Sequence, residues 1–162
     1  MPFLATPNST VRDSFVEAVS DLRDEGWLPE FPVDEVAAGF DDYVRSILAE
    51  KEFWDVPIST FWYVDGSHYL GTVIIRHRLT PELARHGGHI GYHVAPRYRR
   101  QGHARAMLAT AISYCSDTLG ITRILITCDQ SNIGSRRVIE SNGGVLENIL
   151  ENECRYWVIS ET

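Results

Sequence analysis

Apolar residues in the first fifty positions recur at helical spacing. After Asn8 and Ser9, both able to cap, Phe15, Ala18, Val19 and Leu22 form one stripe that Gly26 closes, predicting a first helix from Val11. Pro29 and Pro32 interrupt, and Val36, Phe40, Tyr43, Val44, Ile47 and Leu48 predict a second helix from near Asp34. At Ile58 the pattern changes. Ile58 to Val64 is rich in β-branched and aromatic residues, Asp65-Gly66 signals a hairpin turn, and Tyr69 to Leu79 keeps strand-like composition. Thr80-Pro81-Glu82 opens a short helical turn, Gly87-Gly88 ends it, and His89 to Val94 predicts a strand stopped by Pro96. Ala104 to Leu119 carries a long helical stripe closed by Gly120, and Ile121 to Cys128 is a continuous apolar strand of the fully buried kind. Asn132 caps a last helix to about Ser141, and Val145–Leu150 and Cys154–Ile159 predict two closing strands. The order α, α, β, β, β, α, β, α, β, β predicts an α/β or α+β sandwich whose clear parallel crossover is centred on residues 89–128.

Composition narrows the function classes. At 162 residues the chain is expected to form one domain, 1–162, with a core that needs neither disulfides nor a structural metal. Fifteen Lys and Arg against 22 Asp and Glu leave a net charge of −7, which repels nucleic acid and anionic membranes, so neither is an expected partner. Cys115, Cys128 and Cys154 are odd in number and lack metal-ligand spacing, as suits free thiols in a reducing, cytoplasmic compartment. Met1 to Thr10 lacks the pattern of a signal peptide, and no apolar run approaches a membrane span.

One loop opposes the global charge. Pro96 to Arg105 holds four cationic residues, Arg97, Arg99, Arg100 and Arg105, at the head of the long helix. The positive end of the helix macrodipole disfavours cations there by about 0.3–1 kcal/mol each, unless an anion sits among them. Gly102 lets backbone approach a ligand, Ala104 keeps the first turn narrow, and the free N–H groups of a helix start supply donors for a phosphate. The bland alternative is a solvated basic surface.

Val94-x-Pro96 followed by Arg99-x-x-Gly102-x-Ala104 resembles the R/Q-x-x-G-x-G/A loop of the GNAT superfamily of acyl-CoA-dependent N-acyltransferases. About thirty residues on, the buried strand leads to Asn132-x-x-Ser135, similar to that family's Asn-x-x-Ala/Ser helix. Ile75-Arg76-His77, Gly87 to Tyr92, Asn142-Gly143-Gly144 and Arg155-Tyr156-Trp157 resemble stretches of some members, so the likeness runs from Ile58 to the C-terminus, and the first two helices match only in order. The resemblance implies a mixed, mostly antiparallel twisted sheet, flanked by helices and splayed after Val94, with acetyl-CoA in the split as cosubstrate and no metal. It implies pantetheine on backbone of Tyr92, His93 and Val94 and the pyrophosphate on the amides of Arg100, Gln101, Gly102, His103, Ala104 and Arg105, with the side chains of Arg97 and Arg99 either tuning affinity or reaching the ribose phosphate. Asn132 and Ser135 would lie on the far side. The acceptor would be an amine of a small molecule or peptide, attacked directly in a ternary complex, and a second copy of the chain is a candidate partner.

Acyl transfer to an amine needs a neutral nucleophile, oxyanion stabilisation and a proton for the leaving thiolate. The usual family acid is a Tyr seven residues after the Asn, where this chain has Ile139. Tyr92, Tyr156 or water could serve, or no acid is needed, since a thiol with pKa about 8.5 leaves tolerably. Four histidines, His77, His86, His89 and His93, flank the implied thioester, and of the pair His89 and His93, the former is preferred as base. The family's bulge in this strand obscures which face each takes, and each imidazole could instead bond backbone. Asp129 could orient a base or simply cap Asn132. Arg76 could hold a substrate carboxylate, or lie with Arg78 at a wet strand end paired to Glu82 or another acid. The four tryptophans are expected in the core, and Cys128 leaves a covalent route open. Competing readings are a metal enzyme using His86, His89 and His93, whose helical spacing Gly87-Gly88 disrupts, a non-catalytic acyl-CoA sensor, and a plain structural domain.

Overall fold

The computed structural model describes residues 1–160. Helix α1 (Arg12–Asp24) starts after a short 3₁₀ turn, Ser9–Val11, whose Thr10 N–H donates to Asn8 Oδ1 at 2.9 Å. Its stripe of Phe15, Ala18, Val19 and Leu22 is buried as the spacing predicts. The expected second helix is two, α2 (Val33–Ala38) and α3 (Phe40–Ala49), broken at Gly39. The Arg12 guanidinium takes the Ala37 carbonyl freed at that break (2.7 and 3.2 Å), which satisfies a group that would otherwise be orphaned.

Strands β1 (Phe3–Ala5) and β2 (Glu52–Phe53), which the sequence pattern did not predict, both pair antiparallel with β3 (Val56–Asp65). They carry too few residues for an alternating pattern to register. Asp65-Gly66 turns β3 into β4 (His68–Arg76), which pairs with β5 (Ile90–Val94), so one sheet runs β1-β3-β4-β5 with β2 on β3. Thr80 caps the short α4 (Pro81–Arg85) as expected, with Leu83 N–H donating to its Oγ1 at 3.1 Å. The long helix α5 (His103–Asp117) leads to β6 (Arg123–Asp129) and α6 (Ile133–Ser141), then β7 (Val145–Leu150) and β8 (Glu153–Ile159) form a second sheet with β6, ordered β6-β8-β7.

Helices α1 to α3 cover one face of the first sheet around Phe15, Phe40, Trp62, Val64 and Tyr69. On the other side a larger core joins Val73, Ile75 and Ile90 to Met107, Leu108 and Ala111 of α5 and to Ile124, Ile126 and Tyr156 of the second sheet. Every ladder is antiparallel, and the parallel crossover over 89–128 has no ladder of its own because the sheets meet only at one end. There Gly88 bridges Ile126, and the His89 N–H donates to Leu125 O at 2.8 Å. Gly88 has φ +64°, and a Cβ on it would meet Leu125 O at 2.4 Å, so a side chain would force the joint apart. Beyond that joint the two sheets part. The bulge expected in β5 is not there: its pairing with β4 is continuous, and the register shifts fall instead at Leu70 of β4, where it pairs with β3, and at Glu147 of β7. Among the described residues no helix is long and apolar enough to cross a membrane.

Candidate active site

Where the sheets part, a cleft of about 570 Å³ opens between β5, the start of α5 and the start of α6. Tyr92, His93, Val94, Arg99, Arg100, Gly102, His103, Ala104, Arg105, Asn132 and Ser135 line it. Of the residues expected at a cofactor, Gln101 alone lies off this wall, its side chain donating to Arg97 O at 3.3 Å. Gly102 is the N-cap of α5 at φ +84°, with nothing within 4 Å of a would-be Cβ and no side chain capping the helix. The first amides of α5 therefore lack an intrahelical partner and face a lined, open space.

The arginine cluster is not what the charge pattern predicts. Arg97 pairs with Asp21 (2.8 Å) and Glu17 (3.1 Å), and Arg99 makes a two-pronged pair with Glu25, both contacts 2.9 Å. The end of α1 thus neutralises two guanidinium groups without any ligand, which corrects the expectation that an anion is needed to hold all four. Arg100 and Arg105 make no ion pair among the described residues and border the cleft. Arg100 sits at φ +61°, a left-handed conformation that costs a non-glycine residue about 1–2 kcal/mol.

Tyr92 spans the split. Its hydroxyl lies 2.7 Å from Ser135 Oγ on α6, and burial pushes its pKa up to about 12, so it holds its proton throughout the physiological range. Asn132, which borders the cleft, caps α6 with its Oδ1 accepting from Ser135 N–H at 3.1 Å. Ile139 is fully buried in the core, so no acid stands at the family's usual position. Tyr156 hydrogen-bonds Glu140 (2.9 Å) and accepts from Arg136 Nε (3.1 Å), away from the cleft lining. Cys128 is buried, and burial raises its thiol to about 11, which disfavours a thiolate nucleophile.

The four histidines have separate surroundings. His89, the base preferred from sequence, is buried, and its Nδ1 accepts the Leu125 N–H at 2.9 Å. It ties the two sheets together and does not line the cleft. Burial, helped by Arg76, holds its pKa at about 4. His93 instead borders the cleft, with Nε2 3.2 Å from the Tyr69 hydroxyl, which in turn bonds Thr72. Burial and then Arg99 lower its pKa to about 4, so it is a neutral acceptor at pH 7. His77 Nε2 lies 2.7 Å from Ser59 Oγ, and His86 faces Glu153 at 3.2 Å. These placements scatter the three imidazoles of the metal reading.

Arg76 does not reach the cleft. It donates to Gly87 O (2.8 Å) and Gly88 O (3.2 Å) and lies over the Trp54 ring at 4.4 Å, a brace for the sheet joint instead of a carboxylate site. Arg78 donates to Asp55 O at 2.6 Å, and neither arginine takes Glu82. Asp129 accepts from Ser131 N–H (2.8 Å) and Oγ (2.6 Å), the plain turn role. Of the tryptophans Trp62 is core, whereas Trp27 is 58% exposed and lines the cleft.

A second, smaller cavity of about 200 Å³ lies between the first sheet and helices α1 and α3. Phe15, Tyr43, Trp62 and Tyr69 form much of its wall, and His93 and Leu22 belong to both cavities. Sequence reading missed it because a helix stripe such as Phe15–Leu22 reads the same whether it fills a core or leaves a hollow.

A family model described as Acetyltransferase (GNAT) domain matches residues 6–145. RimJ of Mycobacterium smegmatis, solved in complex with CoA-disulfide, superposes with a TM-score of 0.74 at 16% identity, covering 98% of this chain and 81% of that one. The Campylobacter jejuni N-acetyltransferase PseH, in complex with acetyl coenzyme A, gives 0.64 at 10% identity, covering 99% and 100%. At these identities the likeness is one of fold. A stretch of 92 residues, 56% of this chain, is 25% identical to isoleucine–tRNA ligase of Exiguobacterium sibiricum but spans only 10% of that protein's length. With the family model matched over most of its residues, this chain belongs to the GNAT acetyltransferase family.

Proposed function

We propose that the protein is an acetyl-CoA-dependent N-acetyltransferase that acetylates a primary amine by direct attack in a ternary complex. The observation that carries this reading is the cleft at the sheet split, bordered at once by β5, by the uncapped start of α5 and by Asn132 and Ser135. Acetyl-CoA would lay its pantetheine along Tyr92 to Val94, with its pyrophosphate on the amides from Gly102 to Arg105 and Arg100 beside it. The RimJ and PseH structures, solved with CoA-disulfide and acetyl coenzyme A, support a CoA ligand on this fold.

His93 stands between the two cavities, so an amine in the smaller one would approach a thioester in the larger past its imidazole. With a pKa of about 4 the ring is a weak acceptor of a full proton. Its part is to orient the neutral amine by a hydrogen bond and to share the proton released as the tetrahedral intermediate collapses. Tyr92 keeps its proton and donates a hydrogen bond to the departing thiolate, which at pKa about 8.5 then takes a proton from water. An acyl-CoA sensor is the rival reading, favoured by the buried Ile139 in place of the family's tyrosine.

Thiol release from acetyl-CoA across a panel of amines, beside calorimetric titration of acetyl-CoA, tests the proposal. Sustained release with one amine supports it and removes the sensor, whereas binding without turnover favours the sensor. Tyr92→Phe is expected to lower kcat about tenfold to a hundredfold with acetyl-CoA affinity nearly unchanged; wild-type kcat would remove Tyr92 from the mechanism. Because His93 is already neutral well below pH 6, the pH dependence of kcat/KM should follow ionisation of the amine, with no histidine inflection between pH 5.5 and 7.5. An inflection near pH 6.5 that His93→Gln abolishes would show that this imidazole titrates normally.

A further inference from the structure

We propose that the smaller cavity selects an amine carried on a compact aromatic or branched apolar body without a carboxylate; this rests on the acetyltransfer reading and names its acceptor class. The cavity walls are an aromatic cluster. Phe15 stacks on Trp62 at 4.7 Å between ring centres, meets Tyr69 edge-on at 4.8 Å, and lies 5.6 Å from Tyr43. Ile47 and Ile74 add aliphatic surface. Burying an apolar body there gains about 25 cal/mol per Å² removed from water. A volume of about 200 Å³ suits a compact group, below the roughly 300–1,000 Å³ of sites for drug-sized ligands.

Charge supplies the second half of the selection. Glu50 is the one formally charged side chain on this wall, since His93 is neutral at pH 7. No Lys or Arg lines the cavity, and Arg76, the residue expected to hold a carboxylate, is bound to Gly87 and Gly88 elsewhere. A substrate carboxylate would therefore be desolvated without a cation and beside Glu50, whereas an arriving ammonium is drawn by the same carboxylate. The hydroxyls of Tyr43, Thr60 and Thr72 are neutral partners for a hydroxyl on the body. Leu22 and His93 line both cavities, so a body seated against Phe15 and Trp62 with its amino group toward His93 would face the cofactor cleft across that imidazole.

The test compares 2-phenylethylamine, L-phenylalanine, spermidine and a short peptide with a free N-terminus on the full chain. Amine binding is read by calorimetry with CoA present, and turnover by thiol release. We expect 2-phenylethylamine to exceed L-phenylalanine in kcat/KM by about a hundredfold, and to exceed spermidine and the peptide. Glu50→Gln should raise KM for 2-phenylethylamine about three- to tenfold and leave acetyl-CoA affinity unchanged. L-phenylalanine, spermidine or the peptide performing as well as 2-phenylethylamine would overturn the proposal, as would an unchanged KM in Glu50→Gln. Tight binding of 2-phenylethylamine without thiol release would uphold the selectivity of the cavity and defeat the acetyltransfer reading, so the two failures are distinct.

Discussion

Gly102→Glu is expected to weaken acetyl-CoA binding at least about a hundredfold, equivalent to about 2.7 kcal/mol, while the protein stays folded. A Cβ at Gly102 meets nothing within 4 Å, so the new side chain is accommodated without a clash. The left-handed φ of +84° costs about 1–2 kcal/mol for any residue with a Cβ. A carboxylate at the N-cap of α5 recovers part of that by accepting from the first amides and meeting the positive end of the macrodipole. Those are the donors assigned to the pyrophosphate, so the substitution stabilises the helix start by the interaction that excludes the ligand. Gly102→Ala carries the backbone strain without the charge and should lose much less affinity. Titration calorimetry with both variants, beside their melting temperatures, separates the two effects. Unchanged acetyl-CoA affinity in Gly102→Glu would refute the loop as the phosphate site.

His89→Ala is expected to cost about 2–4 kcal/mol of stability, a structural effect from a residue that sequence alone suggested as a base. Truncation strands the buried Leu125 N–H, worth about 1–3 kcal/mol, and leaves a cavity at the joint of the two sheets. His89→Asn offers an amide oxygen to the same N–H and should recover much of the loss. The folded pKa of about 4 lies below the roughly 6.5 of an unfolded histidine, so on acidification the unfolded chain binds the proton first. Wild-type stability is therefore fully present above pH 6.5 and falls as the pH drops toward 4, by about 3 kcal/mol for this group. His93 shifts in the same direction and remains in the variant. Urea unfolding at pH 7 and pH 5 should show a smaller acid loss in His89→Asn than in wild type, by about 2 kcal/mol. An equally steep loss would mean that His89 is not held neutral in the folded protein.

Partner choice over long range explains why Arg97 and Arg99 were legible as a basic loop but not as neutralised cations. Their acids, Asp21 on α1 and Glu25 just past its end, lie 76 and 74 residues away, a distance no local pattern connects to the loop. The same holds for Arg76, whose partners are carbonyls beyond a helical turn, and for the hollow beside Phe15, which depends on how α1 and α3 settle on one sheet. Strands β1 and β2 were invisible for a different reason: a strand of two or three residues is defined by the edge it pairs with.

Local signals carried further. The caps at Asn8, Thr80 and Asn132, the turn at Asp65-Gly66, the glycine at the head of α5 and the buried strand before Asn132 all depend on backbone within a few residues, so they could be read from the chain in order. What folding alone decided was which chemically able side chain meets open space. His89 and His93 are the same residue type four positions apart, and both are held near pKa 4, yet one is spent on the Leu125 amide and the other stands between two cavities. Composition supplies the imidazole, but burial, field and access are properties of the surrounding volume, and that volume is assembled from segments distant in the chain.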